Sequence, residues 1–496
     1  MRRTVFAIVL SLLAAGASAQ QLGTEGAKRL LTRTGFAPTA QEIARYAPLT
    51  QRDAVERLLA EARTDALTAP PDWIDEPIVA PRTLRAMSED ERKVERQRAI
   101  RQGLELRGWW LREMVATPSP LTERMTLFWH NHFVSAQPKV RWAQLMYRQN
   151  VLLREHALGN LGTLLHAVAK DPAMLVYLDG ATSRRGAPNE NFAREVMELF
   201  TLGEGNYTER DVKEAARAFT GWSIDPDQGT FVFRRGLHDD GEKTILGRTG
   251  RFDGDAVLDI LLEQPATARF IVAKLWREFV SPQPDPVRLD AIAERFRASG
   301  YEIRVALREL LLQPEVVSAA AEGALVKSPV ELLVGFIRQS GAELAQPVGA
   351  ALAIAAMGQN LFAPPNVRGW PGGEVWINTQ TLLARKQFLD RALARATPMP
   401  GGMRPTTAGD AAGEVGQDTD PMRRAALVQA LAVRVDAGAW LRSIAAVTPE
   451  RPIDVETGDK LAKALLVVPP VAPPQPATLA LDALRAVVLD PAYQLK

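Results

Sequence analysis

Helical signals dominate the pattern of hydrophobic and polar positions along this chain. Residues Thr39 to Glu42 and Ser88 to Glu91 each match the capping box, in which Ser or Thr and a Glu three residues later bond the free N–H groups of a helix start. Further starts are marked by capping residues or by a Pro in the first turn, at Ser119-Pro120, Asn160, Asp171-Pro172, Asn189 and Thr208. The pattern predicts a mainly α protein, a large multi-helix globular body.

One stretch has the pattern of a β-hairpin. Residues Thr230 to Arg234 are mostly β-branched or aromatic, and Lys243 to Leu246 is a second short run that could pair with them. The residues between the two runs, His238 to Gly241, supply the turn. We therefore expect one small hairpin, near residues 230–247, inserted in the helical body.

Two segments lack the helical pattern. Residues Asn360 to Asn378 form a Pro/Gly-rich stretch with two tryptophans, and long loops of this kind in compact domains tend to be functional. Residues Thr397 to Asp420 are rich in Gly, Pro, Thr and Asp, which is typical of a flexible linker. The sequence thus predicts a helical domain over 20–396, a linker over 397–420 and a C-terminal helical segment over 421–496 that packs on the main body.

The first residues predict export. A short basic segment, Met1 to Arg3, precedes the apolar run Val5 to Ala15, and Ala17 to Ala19 offers small residues for cleavage before Gln20. The alternative is a retained anchor, but this run is shorter than the roughly 20 residues that a bilayer span requires. We expect a signal peptide over 1–19, a periplasmic or secreted protein, and no membrane span after cleavage.

Charge and cysteine content narrow the function classes. Removing Arg2 and Arg3 from the 60 basic residues leaves 58, equal to the 58 acidic residues. A neutral chain lacks the electrostatic field that nucleic-acid binding uses, so we expect no nucleic-acid partner. The chain has no cysteine, which excludes disulfides, thiolate metal sites and cysteine nucleophiles.

The segment Leu127 to Phe133 holds two of the five histidines, His130 and His132, among aromatic residues. Residues two apart on a helix point about 200° from each other, so we expect the pair to converge only if the helix has ended. Neutral imidazoles bind divalent metals, although the sequence lacks the zinc-protease and di-iron patterns. Three interpretations stay open: a polar network in the core, a metal site, or acid–base or ligand contact.

A second candidate is the helix from Asn189 to Leu202. At 100° per residue, its polar side chains form one stripe, opposite an apolar face. The carboxylates could be acid, base or metal ligands, and the guanidinium could bind an anionic substrate group. The alternative is a solvated face with an Arg–Glu pair four residues apart. The stripe consists of Asn191, Arg194, Glu195 and Glu198.

Other candidates are a histidine in a turn and aromatic residues beside polar ones. His238 could be a catalytic group or could simply fix its turn. Tryptophans next to polar groups can stack on flat ligands, although most tryptophans fill cores. The substrate-binding candidates are Trp129, Asn191, Trp222, Asn366, Arg368 and Trp370.

Several motifs, in order along the chain, resemble the DUF1800 family. They are Leu30 to Phe36, Leu127 to Phe133, Asn189 to Gly203, Ala218 to Trp222, His238 to Gly247 and Pro365 to Gly373. The family is of unknown function, and the resemblance implies a large, exported, mostly helical bacterial protein. Members are often encoded beside a sulfatase-like exported family, DUF1501, which implies a DUF1501-type partner. The long linker at 397–420 departs from the family's pattern.

These observations lead to one expected function and two alternatives. We expect a hydrolase-like or ligand-processing protein whose pocket combines His130, His132, His238, the Glu195/Glu198 helix and the loop around Arg368. In that pocket, Glu195 or Glu198 acts as base or as a ligand of a divalent metal, and the two neighbouring histidines are ligands or proton carriers. The alternatives are a non-catalytic envelope scaffold and a cell-wall glycan hydrolase with paired carboxylates.

Overall fold

The computed structural model describes residues 20–318, 323, 325–394 and 432–496. It is 61% helical, and the strands of the described residues form small two-stranded sheets, so the predicted mainly α class is confirmed. The predicted signal peptide over 1–19 and the predicted linker over 397–420 lie outside the described residues. Both stay predictions.

Helices of the first half begin at the predicted capping residues. Capping boxes form at Thr39, Ser88 and Thr208, and the side chains of Asn160 and Asp171 accept N–H bonds at two further helix starts. The bounds are α1 (Gly23–Thr34), α2 (Ala40–Tyr46), α3 (Gln51–Glu61), α4 (Pro81–Ala86), α5 (Glu89–Ala116), α6 (Pro120–His132), α7 (Gln137–Val140), α8 (Ala143–Glu155), α9 (Leu161–Ala169), α10 (Pro172–Tyr177), α11 (Glu190–Glu195) and α12 (Glu209–Ala218).

A π-helix, Val196–Leu202, continues α11 without a break and ends at Gly203. Its hydrogen bonds join residues five apart, so each turn holds more residues than an α-helical turn. The predicted α-helix from Asn189 to Leu202 is therefore wrong in its second half. Single-turn π-segments inside helices occur frequently at functional sites, because they redirect the side chains that follow them.

The strands form antiparallel pairs that differ from the predicted hairpin. Strand β1 (Trp222–Asp225) pairs with β2 (Thr230–Phe233), and β3 (Lys243–Ile245) pairs with β4 (Arg248–Gly250). The prediction that the run at 230–234 pairs with the run at 243–246 is wrong, because each run finds a partner nearer in sequence. A third pair joins β5 (Glu343–Leu344) to β6 (Val433–Arg434).

The second half of the chain is again helical. Proline stands in the first turn of several of its helices, where the missing N–H has no partner to lose. The bounds are α13 (Gly254–Glu263), α14 (Pro265–Phe279), α15 (Pro286–Ala298), α16 (Ile303–Leu311), α17 (Pro329–Ser340), α18 (Pro347–Ala356), α19 (Thr379–Ala394), α20 (Ala437–Ala445), α21 (Val455–Leu465) and α22 (Ala480–Leu489).

Large aromatic side chains fill the core. Trp109 and Trp110 on α5, Trp129 on α6 and Trp276 on α14 are all fully buried. Helices α5 and α18 pack closely, because Gly108 has no side chain to meet Pro347. Within the described ranges, none of the helices combines the length and the apolar character that a bilayer crossing needs.

A buried group of ion pairs joins helices that are distant in sequence. On α6, Arg124 lies 2.9 Å from the Glu331 carboxylate of α17 and also contacts Glu278 of α14. The Lys496 ammonium reaches the same Glu331 oxygen. We call Arg124, Glu278, Glu331 and Lys496 the buried ion network.

Candidate functional site

Both histidines of the central motif lie in the last turn of α6, which extends through His132. The helix has not ended, so the side chains diverge and the expected convergence of the pair does not occur. The His130 ring packs at 5.5 Å from Trp110, 5.3 Å from Phe362 and 5.8 Å from Trp370, measured between ring centroids. The two imidazoles therefore contact different parts of the core.

His130 is neutral and enclosed. Only 1% of the residue is exposed. Burial, with a smaller contribution from the Arg107 charge, lowers its pKa to about 3. Its Nε2 atom is buried and has no hydrogen-bond partner among the described residues. The aromatic surroundings give this ring a packing role.

His132 is neutral for a related reason, and its tautomer follows from its partners. Its Nε2 lies 3.1 Å from the Phe200 carbonyl oxygen, which can only accept, so Nε2 carries the proton. Its Nδ1 then accepts from the Lys274 ammonium at 2.9 Å. Burial and the Lys274 charge hold the pKa of His132 well below its usual range, against the opposing effect of the Phe200 carbonyl.

The two histidines do not form part of a metal cluster in the described part of the chain. No group of three or more His, Asp or Glu side chains there could hold a metal ion. The ligand set expected from the sequence, His130 and His132 with Glu195 and Glu198, is therefore not brought together. Instead, His132 bonds to the Phe200 carbonyl, and His130 packs among aromatic rings.

The start of the π-helix divides the polar stripe predicted for residues 189–202. Asn191, Arg194 and Glu195 lie on α11, whereas Glu198 lies in the π-helix. Arg194 does not pair with Glu198 four residues on; instead it donates to both carboxylate oxygens of Glu209 on α12, at 2.6 and 2.7 Å. The expected ion pair between Arg194 and Glu198 does not form, because Arg194 pairs with Glu209 and Glu198 pairs with Arg368.

Glu198 is the centre of a group that we call the acidic cluster, which consists of Glu195, Glu198, Tyr207 and Arg368. One carboxylate oxygen of Glu198 lies 3.1 Å from the Arg368 guanidinium, and the other accepts a hydrogen bond from the Tyr207 hydroxyl. Arg368 also lies 2.8 Å from the exposed Glu204 carboxylate.

Glu195, one turn before Glu198, has a different environment. No hydrogen bond or ion pair to its carboxyl group is found among the described residues. Burial raises the pKa of Glu195, and the Glu198 charge raises it further, while Arg368 and Arg194 oppose the shift. Tyr207 is affected in the same direction: burial, then its bond to Glu198, raises its pKa to about 12.

The loop that carries Arg368 is fixed by Asn131, the residue between the two histidines. The Asn131 side chain accepts from the Trp370 N–H at 2.7 Å and donates to the Trp370 carbonyl at 3.2 Å. Gly369 has a φ of +80°, and a Cβ there would lie 2.2 Å from Asn131 Oδ1. Asn366 completes the turn by accepting from the Arg368 N–H at 2.9 Å. Helix α6 thus positions Arg368 against Glu198.

Other predicted site residues lie elsewhere. His238 Nδ1 lies 2.9 Å from the Thr220 carbonyl, and Trp222 packs at 5.1 Å from Phe219. Among the residues that the structure describes, no hydrogen bond, ion pair or ring contact links either of them to the acidic cluster. Trp129 is fully buried, and its N–H donates to a helix-end carbonyl. Asn191 lies exposed on the first turn of α11.

The sequence reasoning missed Asn131, Tyr207 and Lys274 as site residues. The first stands inside the histidine motif, and the second sits beside the Thr208 cap, so both had a local signal. Lys274 is one of several charged residues on α14 and carried no signal, because only the tertiary fold brings it to His132.

Two cavities in the described part of the chain lie away from the acidic cluster. One, of about 100 Å³, lies between α18 and α19 beside Val433. The other, of about 50 Å³, is lined by α1, α2 and the start of α6. Neither contains a residue of the acidic cluster, in which Arg368 is exposed and Glu198 is partly buried. The candidate site is identified by the raised pKa of Glu195 next to Glu198, and not by a cavity.

Comparison with known proteins gives one match. A family model described as "Protein of unknown function (DUF1800)" matches residues 29–495. That range includes the end of α6, the π-helix and the loop of Arg368. No curated protein and no solved structure shows significant similarity to the chain.

Proposed function

Because this chain belongs to the DUF1800 family of proteins of unknown function, we propose a function from its own geometry: a hydrolase in which Glu195 and Glu198 are the acid–base pair. The observation that carries the proposal is the unequal environment of these carboxyl groups. Glu195 has a raised pKa, whereas Glu198 accepts from a tyrosine and an arginine. Neighbouring carboxyls in contrasting environments are the usual arrangement for general acid and base.

Each residue of the acidic cluster has a role in this proposal. Glu195, protonated, donates its proton to the oxygen of the leaving group as the bond to that oxygen breaks. Glu198, as a carboxylate, accepts the proton of the attacking water as its oxygen bonds to the substrate carbon. Tyr207 and Arg368 each bond one carboxylate oxygen of Glu198 and hold it in place. The proton lost from water balances the proton given to the leaving group.

Glycosidic bonds are the substrate class that fits best. Two carboxyl groups, one protonated and one ionised, supply the chemistry that acetal hydrolysis requires. We also propose a periplasmic or secreted location, supported by the basic and apolar pattern of residues 1–19. A cell-wall glycan is then the polymer that such a protein would meet.

A non-catalytic envelope scaffold is the second candidate. The closed aromatic packing of His130 and the backbone bond of His132 favour it, since a fully packed network fixes helices without doing chemistry. In that case a DUF1501-type exported protein would be the proposed partner. The two candidates differ in whether Glu195 must carry a proton.

The test is hydrolysis of purified cell-wall glycan, measured as release of new reducing ends. We expect the protein without residues 1–19 to release them, and Glu195→Gln and Glu198→Gln to lower the rate by about 10²-fold or more, since positioned acid–base groups contribute that much. The matched control is Glu263→Gln, which removes an exposed carboxylate on α13 that pairs with Arg248. It should retain full activity.

Two results would contradict the proposed hydrolase function. One is no release of reducing ends by correctly folded protein from any cell-wall glycan. The other is equal activity of the Glu195 variant and the Glu263 control. Binding of a DUF1501-type protein that is unchanged in Glu195→Gln would then support the scaffold.

A further inference from the structure

The end of the π-helix presents carbonyl groups that the helix itself leaves free. The last turn of a helix has no later N–H groups to donate to its carbonyls, and the i→i+5 pattern leaves more of them free than an α-helix does. Side chains supply the missing donors here. They are Lys274 to the Leu199 carbonyl at 3.4 Å, His132 to the Phe200 carbonyl at 3.1 Å, and Asn206 to the Leu202 carbonyl at 2.9 Å.

Two of these three donors are also bonded to each other. The Lys274 ammonium donates to His132 Nδ1 at 2.9 Å, and His132 Nε2 then donates to Phe200. The ammonium also lies 4.7 Å from the centroid of the Phe270 ring. Within the described ranges no carboxylate pairs with Lys274, so its contacts are directed at the π-helix and at His132. Burial, then the Arg277 charge, lowers the pKa of Lys274 to about 8.

These contacts hold the backbone that carries the proposed acid–base pair. Leu199 directly follows Glu198, and Glu195 lies one turn earlier on the same continuous helix. The charges that act on Glu195 come from Glu198, Arg368 and Arg194. Lys274 is not among these charges, and its link to Glu195 is the π-helix backbone that it contacts at Leu199.

We propose that Lys274 and His132 are positioning residues, which cap the carbonyls of the π-helix and so hold Glu198 beside Glu195. This inference rests on the proposed function. It assigns the histidine of the central motif a role other than metal binding or proton transfer. It also gives a role to Lys274, which lies against the π-helix with no carboxylate partner in the part of the chain that the structure describes.

The experiment reads Glu195 directly and needs no substrate. Carbodiimide activates protonated carboxyl groups, so the labelling of Glu195 with glycine ethyl ester, followed by peptide mass spectrometry from pH 4.5 to 7.5, reports its protonation. We expect wild type to stay labelled at higher pH than exposed glutamates. Lys274→Met should lower the labelling rate of Glu195 at pH 6 by about threefold or more, a shift of roughly half a pKa unit.

Matched variants separate positioning from other effects. Lys274→Arg keeps a donor and should stay within about twofold of wild type, since the hydrogen bond to the carbonyl survives. Lys460→Met removes an exposed lysine of α21 and should change nothing. If Lys274→Met fails to fold by circular dichroism, Asn206→Ala removes the third carbonyl cap from an exposed position and should give the same direction of change.

The outcomes distinguish the two proposals. Wild-type Glu195 that labels like an exposed glutamate overturns the proposed function. The other outcome is that wild-type Glu195 stays labelled at higher pH than exposed glutamates. If Lys274→Met and Asn206→Ala then leave the labelling of Glu195 unchanged, the positioning inference alone is overturned. Increased labelling in Lys274→Met also overturns it, because removing a cation that acted through its charge would favour the protonated form of a nearby carboxyl group.

Discussion

The buried ion network and the acidic cluster use the same residue types in opposite ways. In the network, Arg124 and Lys496 lie against the Glu331 carboxylate, and all three side chains are at most 5% exposed. In the acidic cluster, Arg368 is 62% exposed and reaches Glu198, while Glu195 has no such partner. A buried charge must be paired to be tolerated, whereas a partly solvated carboxyl group can remain unpaired and take up a proton.

The two glutamates show the consequence. Burial alone would raise the pKa of Glu331, but the charges of Arg124 and Lys496 outweigh it and hold the pKa well below the usual range. For Glu195, burial and the Glu198 charge outweigh Arg368 and Arg194, so its pKa is raised. The paired environment of Glu331 stabilises the fold, whereas the environment of Glu195 is suited to proton transfer.

The largest expected effect breaks the buried ion network. Glu331→Gln leaves Arg124 and Lys496 buried without a carboxylate between them, and loss of one partner of a buried pair costs about 3–5 kcal/mol. Urea denaturation should show that loss in the free energy of unfolding. Glu456→Gln, at an exposed pair on α21, should leave the stability unchanged. A similarly small effect at Glu331 would mean that its charge is not needed.

An intermediate effect is expected at the loop that brings Arg368 to the acidic cluster. Gly369→Ala places a Cβ 2.2 Å from Asn131 Oδ1 at a φ of +80°, and should destabilise the fold by about 1–3 kcal/mol. Gly372→Ala is the matched control, since it has a φ of +71° with nothing within 4 Å. Thermal denaturation compares the two. Equal losses would show that backbone strain, and not the Asn131 contact, fixes this loop.

The smallest effect is a pH dependence of opposite sign in the two regions. The folded pKa of Glu331 is lowered, so its contribution is complete above the unfolded value of about 4.3 and is lost as pH falls. The folded pKa of Glu195 is raised, so its contribution is complete below that value and is lost as pH rises through the folded pKa. The measurement is the free energy of unfolding as a function of pH for wild type, Glu331→Gln and Glu195→Gln. The Glu331 contribution should rise with pH and be missing from Glu331→Gln, whereas the Glu195 contribution should fall with pH and be missing from Glu195→Gln. Contributions of the two glutamates that change with pH in the same direction would contradict the difference between the two regions.

Much of the helical framework could be predicted from local sequence. The caps at Thr39, Ser88 and Thr208 all act as expected, because a capping side chain bonds residues only two or three positions away. The pairing of strand Thr230–Phe233 could not be predicted in the same way. Runs on both sides could pair with it, and the local pattern does not choose between them; the nearer run, Trp222–Asp225, is the partner.

The sequence by itself determined the mainly α class, the family and the carboxylates of the candidate site, since these depend on composition, local caps and motifs. The tertiary structure alone decided which groups meet. It separates His130 from His132, starts a π-helix at Val196, and brings Arg368 and Lys274 to that short helix. The physical reason is that a pKa, an ion pair or a capped carbonyl depends on distances across the fold, which the order of residues along a chain does not give.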